Sequence, residues 1–156
     1  MKPISIATVI NITDQSERTL RRRISEGVLP RASDEKNSHK TMIPFEAILS
    51  QVVIPFSQED IALVEKADDG EAEAQNDLGL LFLSHNKAEN AAYWFELAAK
   101  QDYADAMHWL GRCYLEGQGV TKDENLAMMW LAKAAAYGHE ISKAQMQGIR
   151  DSVLKR

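Results

Sequence analysis

The chain has a single cysteine in 156 residues, Cys113, which excludes an internal disulfide and a cysteine-rich zinc site. It also lacks long apolar runs: Val52-Val53-Ile54 is typical of the longest and is far too short to cross a bilayer. The opening stretch MKPISIATVINITDQ has one lysine but no apolar core ending in a small-residue cleavage site, so no signal peptide is expected. These absences point to a reducing cytoplasm and no membrane partner. No glycine-rich phosphate loop follows a strand, because Gly117-x-Gly119 runs into Val120-Thr121-Lys122-Asp123 without the lysine-serine/threonine spacing of a nucleotide loop. The four histidines, His39, His85, His108 and His139, are scattered without ligand spacing. Asp68-Asp69 and Asp123-Glu124 read as helix-end and first-turn acids rather than a catalytic pair, and Cys113, with no adjacent histidine, reads as an inert thiol. The expectation is no catalytic residue, metal or cofactor.

What is present is ordinary globular composition, 45% hydrophobic, 26% charged and 7% aromatic. The length suits one domain or two small ones. The net charge of -5 hides an asymmetry. Residues 1–56 carry eight Lys/Arg against six Asp/Glu, whereas residues 57–156 carry ten against seventeen. Four of the eight cations, Arg18, Arg21, Arg22 and Arg23, lie within six residues. A basic first third on an acidic remainder favours nucleic acid locally, although a charge run alone is more often a solvated helix face.

A boundary is expected near Pro55-Phe56-Ser57, giving domains at 1–54 and 57–156, because the chain then turns Ala-rich and helical. Ser57 is a plausible N-cap with Asp60 three residues on. The second block repeats itself. Ala72-x-Ala74-x-x-x-Leu78-Gly79-x-x-Phe82 matches Ala104-x-Ala106-x-x-x-Leu110-Gly111-x-x-Tyr114 at an offset of 32, and Ala91-x-x-Trp94-x-x-x-Ala98-Ala99 matches Ala127-x-x-Trp130-x-x-x-Ala134-Ala135 at an offset of 36. Such periods mean stacked two-helix units. Small residues let the helices approach and Leu78, Phe82 and Trp94 fill between them. Gly79 and Gly111 sit mid-helix, where glycine costs about 1 kcal/mol against alanine, so a neighbouring helix or aromatic is expected against the bare backbone. Trp94 and Trp130 read as core. Trp109 matches Asp77, an exposed position, and is a candidate partner-binding residue.

The second copy, from Ala106, Leu110, Gly111 and Tyr114 through Gly117, Gly119, Val120 and Asp123 to Ala127, Trp130, Ala134, Ala135 and Gly138, resembles the Sel-one-like repeat, a relative of the tetratricopeptide repeat. The first copy is degenerate, its loop Ser84-His85-Asn86 being truncated. Residues 58–68 look like the second helix of a preceding unit and 140–153 like a terminal capping helix.

In the first block, Ile6, Val9 and Ile10 make one apolar stripe on a short helix broken by Asn11-Ile12-Thr13-Asp14. Ser16 is a good N-cap for the next helix, Glu17 suits its dipole, and Leu20 and Ile24 mark its buried face. At 100° per residue Arg18, Arg21, Arg22 and Ser25 fall opposite that face, Arg23 flanks the core side, and Gly27 ends the helix. Cations presented together from a short helix after a tight turn form the arrangement of a recognition helix. Val28-Leu29-Pro30-Arg31, a polar turn at 32–38 and His39-Lys40-Thr41-Met42-Ile43 predict a β-hairpin, with Arg31, His39 and Lys40 beside it, and a helix beginning at Pro44 follows.

Ser16-x-x-Thr19-Leu20-Arg21, Glu26-Gly27-Val28-Leu29-Pro30, Ile43-Pro44 and Ala47-Ile48 together resemble a MerR-type or excisionase-type winged helix-turn-helix over residues 4–50. Asp14 departs from the usual turn glycine and Gln15 from the usual apolar residue. The resemblances imply a mostly α chain: a small winged helix-turn-helix domain, then a short α-solenoid with a capping helix. They imply a cytoplasmic, bacterial DNA-binding regulator, with Ser16, Arg18, Arg21, Arg22, Arg31 and Lys40 on double-stranded DNA. The repeats would bind a protein partner, and a homodimer would link two weak heads. The alternative is an adaptor whose repeats are the working surface.

Overall fold

A computed structural model describes residues 1–32 and 39–155, which divide into two compact units, Met1–Asp69 and Gly70–Arg156.

The first unit is built on a two-stranded antiparallel sheet, β1 (Pro3–Ser5) against β2 (Met42–Pro44), with Ile4 opposite Ile43. α1 (Ile6–Thr13) starts at Ser5, whose hydroxyl accepts from the Thr8 N–H, and ends at Asp14, which takes a left-handed φ of 53°. α2 (Glu17–Ser25) follows within the turn's next residues, capped by Ser16 on the Thr19 N–H. The core is Ile4, Val9, Ile12, Leu20, Leu29, Ile43, Phe45 and Ile48. The apolar stripe of α1 is therefore shifted from expectation: Val9 and Ile12 are buried with Thr8, while Ile6 and Ile10 are only partly covered.

Three further expectations are corrected. Among the described residues the hairpin beside α2 shows one bridge, Ala32 to Met42, while the other edge of Met42–Pro44 pairs with β1. The turn at 33–38 lies outside the described residues. The helix expected from Pro44 is two single 3₁₀ turns, Phe45–Ala47 and Leu49–Gln51. Finally, α3 (Gln58–Asp68) begins as expected, with a complete Ser57/Asp60 capping box. It belongs to the first unit, however, and not to the array. Asp68 accepts from the Ser5 N–H and hydroxyl and the Thr8 hydroxyl, Lys2 Nζ reaches Asp69 at 2.7 Å, and the Lys2 N–H reaches Glu65 at 2.7 Å. The division thus falls at Asp69–Gly70 rather than near Pro55.

The second unit is a run of five helices, each packed on the next: α4 (Ala72–Ser84), α5 (Ala88–Ala99), α6 (Ala104–Glu116), α7 (Glu124–Ala136) and α8 (Glu140–Leu154). Leu78, Phe82, Trp94, Phe95, Ala98, Met107, Leu110, Ala127, Leu131 and Ala134 form its core. The mid-helix glycines have the expected reason. A Cβ on Gly79 would stand 2.6 Å from the Phe95 ring, and one on Gly111 would stand 2.9 Å from Leu131 Cγ. Small side chains there let α5 seat on α4 and α7 on α6. No described helix is long and apolar enough to cross a membrane.

Candidate interaction surfaces

In the first unit, the cations of α2 separate into two roles. Arg23 turns inward and is partly buried, its guanidinium donating to Gln15 Oε1 at 2.6 Å and Gln51 Oε1 at 2.7 Å. Gln15 helps to hold it, and Gln15 in turn donates to Gln51 at 2.9 Å. The pairing was missed from sequence because Gln51 lies 28 residues from Arg23. Arg18, Arg21 and Arg22 all face solvent, but Arg21 is engaged by Glu17 one turn earlier at 2.8 Å. Such an exposed i,i+4 pair contributes only about 0.3–0.5 kcal/mol, so Arg21 remains exchangeable. Ser16 spends its hydroxyl on the cap, 3.1 Å from the Thr19 N–H and 2.9 Å from Thr19 Oγ1. Arg31 and Lys40 are exposed.

In the second unit, Trp109 lies partly exposed on α6. Its indole stacks on Phe95 of α5 (centroids 6.2 Å apart, 17° between planes), meets the His108 ring edge-on at 5.6 Å, and carries the Arg112 guanidinium 5.3 Å above it. Phe95, His108 and Arg112 brace the ring, which remains partly exposed and would be ordered at little further entropic cost. Arg112 is itself held by Glu116 at 3.1 Å. Trp94 is buried as expected, but Trp130 is only partly covered and lies under Lys133 Nζ at 5.1 Å, so it is a corrected core assignment.

His108 is buried, its Nδ1 2.9 Å from Ser142 Oγ and its ring stacked 4.2 Å from that of His139. Burial first, then the neighbouring His139 and Arg112, push its pKa down to about 4, with Asp105 opposing. Cys113 is also buried, and burial raises its thiol to about 11. Native full-length protein is accordingly expected to resist iodoacetamide at about pH 8 and to react fully once unfolded in denaturant, read by intact mass. Rapid alkylation of the native chain would contradict the burial. Among the described residues no group of three or more His, Cys, Asp or Glu could hold a metal ion.

The Sel1 repeat family model matches residues 72–103 and 104–139. In the rat, Rattus norvegicus, DAP3-binding cell death enhancer 1 is 33% identical over 96 residues, covering 60% of this chain and 19% of that protein. Among solved structures, c5321, a protective antigen of uropathogenic Escherichia coli with an SLR fold, is 33% identical with a TM-score of 0.54, over 57% of this chain and 20% of that one. A Sel1 repeat protein from Oxalobacter formigenes is 32% identical with a TM-score of 0.54, over 64% of this chain and 31% of its own. This chain thus spans at most about a third of the length of these relatives.

Proposed function

We propose that the two Sel1 repeats at residues 72–139 give this chain a protein-binding role, with Trp109 at the centre of the contact surface. The observation that carries this reading is the fixed, partly exposed indole of Trp109, braced between Phe95 and Arg112 on a repeat scaffold. The match to a rat relative named for binding another protein supports the same reading. Tryptophan and arginine together are the side chains most often dominant in interface energetics.

A second reading keeps the first unit as a DNA reader, with the repeats serving the partner or dimer contact. It rests on α1, the tight turn at Asp14 and the Ser16-capped α2, whose Arg18 and Arg22 face solvent with no ion pair among the described residues. Arg31 and Lys40 would add phosphate contacts from the residues that follow.

Both readings are tested with the full chain by proximity capture and by anisotropy on a pool of DNA fragments over a salt series. Under the first, Trp109→Ala reduces recovery of a defined partner by at least about tenfold, equivalent to about 1.4 kcal/mol, while the helix content is unchanged. Arg18→Ala/Arg22→Ala leaves that recovery intact. Equal recovery with Trp109→Ala overturns the assigned surface. A motif enriched from DNA, with a steep salt slope lost in the double arginine variant, moves the function to the first unit.

A further inference from the structure

The last helix, α8, is held by little apolar burial. Of its 15 residues only Ser142 is fully buried, and Ser142 sits between two imidazoles. Its hydroxyl lies 2.9 Å from His108 Nδ1 and 3.1 Å from His139 Nδ1, and its backbone N–H donates to His139 Nδ1 at 3.2 Å. The last bond is the N-cap of α8, formed by His139 in place of the usual serine or aspartate. It requires an unprotonated Nδ1, which leaves the ring proton on Nε2, the nitrogen 3.6 Å from Asp105 Oδ1.

The repeat offsets supply an internal comparison. His108 corresponds to Asn76, His139 to Tyr103 and Ser142 to Ala106. The junction between α4 and α6 therefore has an amide, a phenol and a methyl where the junction between α6 and α8 has two imidazoles and a hydroxyl. Only the second can change charge in mildly acidic water.

We propose that the stacked His108–His139 pair is an acid-sensitive latch, which frees α8 from α6 when the pair takes up a proton. A proton on His108 puts a charge in a buried site against a second imidazole. The charged and titratable groups around His108 are His139 at the start of α8 and Arg112 and Asp105 on α6. Two of these, His139 and Arg112, disfavour the added proton, and Asp105 is 58% exposed and offsets them weakly.

The direction follows from linkage. His108 binds its proton less readily in the folded chain than as a free imidazole, its pKa falling from 6.5 to about 4, and the share of that fall due to α8 makes docking pH-dependent. The docked state is at full strength above the upper value, loses stability as the pH falls through that window, and levels off below it. At the limiting slope this is about tenfold in the docked-to-free ratio per pH unit.

The test is hydrogen exchange by mass spectrometry on the full chain from about pH 7 to about pH 4.5, corrected for intrinsic exchange. The expected result is that α8 amides lose protection about tenfold per unit on acidification while α4 to α7 keep theirs. His108→Asn/His139→Tyr, which installs the residues of the preceding junction, is expected to flatten the α8 profile. Protection of α8 that does not change with pH, or that falls equally in the double variant, overturns the latch. If the double variant does not fold, the wild-type profile decides: a loss spread evenly over α4 to α8 overturns the proposal, and a loss confined to α8 supports it.

Discussion

Trp94→Ala is expected to destabilise the repeat unit by about 3–5 kcal/mol, the range for deleting a fully buried large aromatic. Trp94 is 1% exposed, packs edge-on to Tyr93 at 5.1 Å and 87°, and lies on α5, the helix that contacts both α4 and α6. Its loss opens a cavity that helices on both sides would have to collapse to fill. Marginal stability makes that a large share of the total, so the variant should unfold at markedly lower urea concentration. Trp130→Ala, the same repeat position, should cost clearly less, because that ring is already partly solvated under Lys133. Equal midpoints for the two variants would show that solvent exposure does not separate them.

Gly119→Ala is the second substitution with a large expected effect. Gly119 has a φ of +72°, and a Cβ there would stand 2.2 Å from the Ala88 carbonyl oxygen and 2.8 Å from the Glu89 nitrogen. Both are backbone atoms at the start of α5, so no side chain can swing away. The strained φ alone costs about 1 kcal/mol, and the forced backbone shift should bring the total to at least about 2–3 kcal/mol. Gly138→Ala isolates the first component, since Gly138 has a φ of +96° with nothing within 4 Å of its Cβ position. Thermal melts of both variants should therefore differ, with Gly119→Ala the lower. A Gly119→Ala protein that melts with Gly138→Ala would mean that the loop does not rest on α5.

These two residues mark how differently the chain's features read from sequence. The offsets of 32 and 36 located Trp94 and the glycines at once, because a repeated pattern with helical spacing reports the face a helix must bury. The need for bare backbone at Gly79 and Gly111 was equally legible, since glycine inside a helix is unfavourable without a packing reason. Capping was legible too: Ser16 and Ser57 each act within three residues of their own position.

Choices of partner were not legible. Met42–Pro44 was expected to pair with the residues just before it; it bridges Ala32 there, but its ladder is with Pro3–Ser5, across the whole of α1 and α2. α3 has the composition of a repeat helix, yet Asp68 ties it to Ser5 and Thr8, 60 or more residues earlier. Helical spacing put Arg23 on the core side of its run, but not the partners that hold it there, Gln15 and Gln51. His108 and His139 carry no ligand spacing, and only the stacking of α8 on α6 brings their rings to 4.2 Å. Helix formation, capping and the need for glycine are settled by atoms a few bonds away, so the repeats, their helices and their small residues can be read directly along the chain. Strand pairing, the unit to which α3 belongs and the imidazole contact depend on which distant surfaces meet, and no local pattern of residues encodes that.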